Sequence, residues 1–106
     1  MPYQFTCGCQ RKHQKINFKH CQQLENDLKE LSVASKIAIL KALENPHCVC
    51  DLEKLTGFSQ TLISHHLSNL SEKGFVNFSQ EGKFKRYFLT EKGKKFLAII
   101  KSLLNE

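Results

Sequence analysis

The chain has 106 residues and 41% hydrophobic content, enough for one domain with a small core. Lys+Arg number 16 against 10 Asp+Glu, so the formal charge is +6 and the pI about 9.2, which suits a polyanionic partner. No apolar run approaches the roughly 18 to 20 residues of a membrane span, and the polar N-terminus lacks a signal-peptide core; the expectation is a cytoplasmic protein with no membrane partner.

Residues 1–15 (MPYQFTCGCQRKHQK) show no helical period and read as a flexible N-terminal arm, with Cys7 and Cys9 around Gly8 and a basic cluster of Arg11, Lys12 and Lys15. Residues 16–106 read as a single domain. Phe18, Cys21, Leu24, Leu28 and Leu31 recur at three and four residues, which predicts an amphipathic helix over 18–31 with Cys21 packed as a small hydrophobe. Ser32 breaks the pattern. Val33, Ile37, Leu40 and Leu43 carry a second helix that Asn45 and Pro46 stop.

His47, Cys48 and Val49 then form an extended link into a helix-turn-helix. Its first helix spans 51–56, burying Leu52 and Leu55, and Gly57 ends it in a left-handed conformation. Ser59 caps the second, along which Leu62, Ile63, His66, Leu67 and Leu70 share the buried stripe. Gln60, Thr61, Ser64, His65 and Ser68 face outward. With Ser59 they form an acid-free face of hydroxyls, amide and imidazole, suited to base edges and phosphates in a major groove.

Residues 75–80 and 83–89 read as strands of a hairpin turning at Glu81 and Gly82. Lys83, Lys85 and Arg86 make its second strand a basic wing for phosphates beside the groove. The last helix, 90–105, is capped by Thr90 and carries an apolar stripe wider than one small domain covers, so a dimer is expected. Two copies would set two reading helices about one DNA turn apart, matching an operator with an inverted repeat. The expected fold class is therefore mainly α with a small β-hairpin: a homodimeric winged helix-turn-helix.

Five cysteines in a chain expected in the reducing cytosol are read as ligands, sensors or packing rather than disulfides. Four form two CxC pairs, Cys7/Cys9 and Cys48/Cys50. Cys50 occupies the place where a capping Ser, Thr, Asp or Asn is usual, and the helix N-terminus there should lower its thiol pKa. If the arm folds over the domain, four thiolates suit Cd²⁺ or Zn²⁺ tetrahedrally. His47 and His13 are alternative donors but read better as solvated. No phosphate loop, paired carboxylates or triad order appears, which argues against an enzyme.

LSVASKIAILKAL, CVCDLEKLTGFSQTLISHHLSNLSEKGFV and EGKFKRYFLTEKG together resemble the ArsR/SmtB family of metal-responsive winged-helix repressors over roughly residues 24–104. CVCDL is similar to the thiol motif of its arsenic-, cadmium- and lead-sensing members. The resemblance implies a repressor that binds operator DNA when its thiols are free and dissociates when they take up a soft metal. It adds Pb²⁺ and trivalent arsenic, antimony and bismuth to the candidate inducers, and it implies that Cys7 and Cys9 reach the site from the opposite subunit. Lys36 stands where arginine is usual, and no histidine in the last helix supplies the family's inter-subunit zinc site. A thiol-redox or persulfide sensor on the same scaffold is the alternative, and a structural zinc a further one.

Overall fold

The computed structural model describes residues 14–106. The arm's Cys7, Cys9 and His13 therefore lie outside the described residues. The elements run α1 (Phe18–Leu31), α2 (Ala34–Ala42), α3 (Val49–Thr56), α4 (Gln60–Glu72), β1 (Val76–Glu81), β2 (Phe84–Leu89) and α5 (Glu91–Leu103). This is the winged helix-turn-helix expected from the sequence.

Punctuating residues set most boundaries. The Asn17 side chain accepts from the Lys19 and His20 amides, which starts α1. Gly57, at φ 77°, ends α3 and donates its amide to Glu53. Ser59 accepts from the Leu62 amide at 3.2 Å and starts α4 two residues later, so the helix-turn-helix corner is tight. Thr90 caps α5 and also donates its hydroxyl to the Gly74 carbonyl, tying the end of the wing back to its beginning.

The core lies where α2, α3, α4 and the base of the hairpin meet. Leu40, Leu52, Ile63, Leu70 and Phe75 are completely buried there. Phe75 stands edge-on to Phe96 of α5, ring centroids 5.2 Å apart, which fastens the last helix to this core. The β1–β2 pair is antiparallel, and its register places Glu81 opposite Phe84.

Four local expectations change. The hairpin turn is Gly82–Lys83 rather than Glu81–Gly82, with Gly82 at φ 62° in the first central position, where a type II′ turn takes glycine. Leu55 and Leu62 are exposed rather than buried, because these short helices present a narrow stripe that Leu52 and Ile63 fill. Cys21 is exposed, along with Leu24 and Leu28 on the same face of α1. The first helix of the pair begins at Val49, so Cys48 is its N-cap and Cys50 lies inside its first turn.

The face of α1 and α5 that is left open is apolar. Leu24 and Leu28 of α1 with Ile99 and Leu103 of α5 line one groove, and each is about half exposed or more. No helix among the described residues is long and apolar enough to cross a membrane.

Candidate metal centre and nucleic-acid interface

The thiol pair is held by an anchored backbone. His47 makes an antiparallel bridge with Tyr87 of the wing, donating its amide at 3.0 Å and accepting at 2.8 Å. The extended segment ends there and α3 begins at once. Cys48 is extended and uses no side-chain capping bond, while Cys50 is helical. This change of conformation brings the two sulfurs 2.9 Å apart.

A carboxylate joins them. The Cys48 Sγ, the Cys50 Sγ and an Asp51 oxygen all lie within 4.8 Å of one another. Asp51 is also 3.4 Å from the Nδ1 of His47. Sequence reasoning passed over Asp51, although its position directly after CxC and four residues from His47 was the available signal. His47 itself reaches the carboxylate rather than the sulfurs.

The electrostatics reverse one expectation. The Cys50 thiol lies above its ordinary value, chiefly through its hydrogen bond with Cys48, then through partial desolvation and the negative charges of Cys48 and Asp51. The Cys48 hydrogen bond leads, desolvation and like charge add to it, and the Asp51 backbone amide at the helix start offsets only part of the rise. Asp51 is held below the ordinary carboxylate value by hydrogen bonding from Cys48 and from His47.

Two soft sulfurs with a carboxylate suit Zn²⁺ or Cd²⁺ in donor type. Around a tetrahedral ion with metal–sulfur bonds of about 2.3 Å, two sulfurs sit roughly 3.8 Å apart, so the pair must open by about 1 Å to hold one. Both side chains are at least partly exposed, which leaves room for that.

Beside the pair, α3, α4 and the wing enclose a cleft. Cys48 and Cys50 line it together with Gln60 and Ser64 of α4 and Lys83, Lys85 and Tyr87 of the wing. Gln60, Thr61, Ser64, His65 and Ser68 are all exposed along α4, and Ser59 stands at its start with its hydroxyl used for capping. His65 lies 3.4 Å from Asn69, one turn on, which steadies the ring.

Strand alternation separates the wing cations. Lys85 lies on the cleft side with its ammonium 4.5 Å from the centre of the Phe78 ring, while its neighbour Arg86 points to the opposite face. Lys83 sits in the turn. All three are exposed, and none makes an ion pair among the described residues.

Behind α4 lies a buried polar group. His66 is only 7% exposed and its Nε2 is 2.7 Å from the hydroxyl of Ser35 in α2. Next to Ser35, the Lys36 ammonium meets Glu30 of α1 at 2.6 Å, and both side chains are nearly buried.

A helix-turn-helix with a basic hairpin after its second helix is the winged-helix architecture, the class to which DNA-binding winged helices belong. Residues 35–77 match the family described as "Bacterial regulatory protein, arsR family". The chain is 36% identical over 64 residues to a Halobacterium salinarum protein named as an arsenical resistance operon repressor, ArsR, covering 60% of this chain and 50% of that one. It is 36% identical over 63 residues to the cadmium resistance transcriptional regulatory protein CadC of Listeria innocua, covering 58% and 53%.

The matched segment spans about half the length of these curated relatives. Among solved structures, the transcriptional repressor BigR of Xylella fastidiosa aligns with a TM-score of 0.73 at 28% identity, over 80% of this chain and 86% of that one. A homodimeric winged helix-turn-helix domain of Mycobacterium bovis shares the fold, with a TM-score of 0.72 at 22% identity over 90% and 92%. Over this segment the chain is similar to ArsR-family regulators, and these relatives are named as regulators rather than enzymes.

Proposed function

We propose that the chain is a transcriptional repressor that binds operator DNA as a homodimer in its metal-free state and releases it when a soft metal binds the Cys48/Cys50 thiolates. The observation that carries this reading is the position of the thiol pair, on the wall of the cleft between α4 and the wing. A centre there adjoins the surface that would meet DNA. Cys7 and Cys9 of the arm complete a four-thiolate set, and Asp51 stands beside the pair as an alternative donor. The open apolar face of α1 and α5 is the surface for the second copy, and Ser59, Gln60, Thr61, Ser64, His65, Ser68, Lys83, Lys85 and Arg86 are the DNA contacts.

Coupling follows from linkage. A metal that weakens DNA binding by a given factor must itself be bound less well by the DNA complex, by the same factor. The names of the arsenical and cadmium resistance relatives favour Cd²⁺ and trivalent arsenic as inducers, with Pb²⁺ and Zn²⁺ as further candidates.

The test is fluorescence anisotropy of reduced, metal-free protein on DNA with an inverted repeat, titrated anaerobically with Cd²⁺, Pb²⁺, Zn²⁺ and arsenite. The effective ion should weaken binding roughly 5- to 150-fold. The Cys48→Ser/Cys50→Ser variant should bind DNA as the wild type does and ignore the ion. Equal release from both proteins would remove the thiol pair from the mechanism.

The 2.9 Å approach of the two sulfurs supports a second reading, in which the thiols form a disulfide and the protein senses oxidants or polysulfides. Release by an oxidant after chelation, with no response to any metal, would select it.

A further inference from the structure

The polar group behind α4 has no part in the metal centre, yet it touches the helix that carries the proposed DNA contacts. His66 projects from the inner side of α4, and its Nε2 meets the Ser35 hydroxyl across the α2–α4 packing at 2.7 Å. Its Nδ1 is buried and has no hydrogen-bond partner. A buried N–H without an acceptor is rarer in folded proteins than a bare lone pair. The favoured tautomer therefore donates Nε2–H to Ser35 and leaves Nδ1 as an unprotonated lone pair.

We propose that the Ser35–His66 hydrogen bond positions α4 for DNA, and that repression requires His66 to be neutral. This rests on the DNA-binding reading above. His66 is a positioning residue: it lies on the opposite side of α4 from Gln60, Ser64 and Ser68 and sets how that outer face is turned. The bond joins α4 directly to α2 in the middle of the helix, while the caps fix only its ends.

Protonating Nδ1 would place a charge in a closed site beside Lys36. The charged groups around the ring are Lys36 of α2 and His65 of α4, which oppose protonation, and Glu30 of α1, which favours it. Glu30 is already engaged with Lys36. Burial is the largest influence and, with Lys36 and then His65, holds the His66 pKa below its ordinary value. The neutral form therefore persists to lower pH than in an ordinary imidazole, and protonation has to overcome burial and the Lys36 charge.

The test is the affinity of the full-length protein for the inverted repeat between about pH 5 and 8, in metal-free form and at constant ionic strength. All variants carry His65→Asn, so that the exposed imidazole among the proposed DNA contacts does not enter the comparison. On that background, affinity should hold steady around neutral pH and fall toward the acid end of the range, by at most tenfold per pH unit for a single proton. Adding His66→Gln, whose amide can still donate to Ser35, should keep most of the affinity at neutral pH and flatten the profile. Adding Ser35→Ala should weaken binding at every pH while the variant still unfolds cooperatively, its melting temperature lower by no more than about ten degrees.

The same pH profile with and without His66→Gln would overturn the positioning role alone. A protein that binds the repeat at no pH would overturn the DNA-binding reading and this role with it.

Discussion

Gly93→Ala should destabilise the domain by about 3 kcal/mol or more, against a total of roughly 5 to 15 kcal/mol for domains of this size. Helix propensity points the other way, since alanine within a helix is favoured over glycine by about 1 kcal/mol. Packing decides the sign. A Cβ on Gly93 would fall on the Phe75 carbonyl oxygen, well inside contact distance, and within 3.2 Å of a Leu89 methyl.

That oxygen cannot move aside cheaply. It accepts from the Thr90 amide at 3.1 Å, and the Thr90 hydroxyl also holds the adjoining Gly74 carbonyl. Relief would have to come from lifting α5 off the hairpin base, which separates Phe96 from Phe75. A melting temperature lower by ten degrees or more, at fixed protein concentration, is the expected readout.

Gly57→Ala is the useful contrast. Nothing lies within 4 Å of a Cβ there, but the residue sits at φ 77°, so the loss should be nearer 1 kcal/mol and Gly57→Asn should recover part of it. If Gly93→Ala melts like the wild type, α5 is not seated against Phe75 as described.

The sequence made some of these features visible and hid others for reasons of distance along the chain. The α1 range, the Gly57 corner and the Ser59 and Thr90 caps are local signals, and each lies where the sequence predicted it. The start of α3 was misplaced because its cause is remote: the bridge from His47 to Tyr87 joins residues forty positions apart. That bridge turns Cys48, rather than Cys50, into the cap.

The hairpin slipped by one residue because either Glu81–Gly82 or Gly82–Lys83 satisfies the turn chemistry. A one-residue change exchanges the faces of a strand, so it matters for which wing cations meet the cleft. The thiol pair was legible as a motif, whereas its convergence with Asp51 depends on the switch from extended to helical backbone between Cys48 and Cys50. Exposure of Cys21 beside Leu24 and Leu28 fits the same open face that the width of the last helix predicted for a partner.

Lys36 was the least legible residue, because the apolar pattern placed Ile37 in the stripe and left Lys36 outside it. In the fold, Lys36 is buried with Ile39 and Leu40, and its charge is met by Glu30. Glu30→Ala should consequently cost about 3 to 5 kcal/mol, since it strands a buried ammonium. Replacing both partners, as Glu30→Leu/Lys36→Met, should recover most of that loss, because an apolar pair of similar volume needs no desolvation of charge.

Urea unfolding of the two variants at matched protein concentration separates the pair's own contribution from the penalty of breaking it. The double variant also isolates a functional consequence. Lys36 is the cation that opposes protonation of His66, so removing the Glu30–Lys36 pair should raise the His66 pKa toward its ordinary value even where stability is restored. A double variant as unstable as Glu30→Ala would mean that shape, rather than charge pairing, holds the α1–α2 corner together.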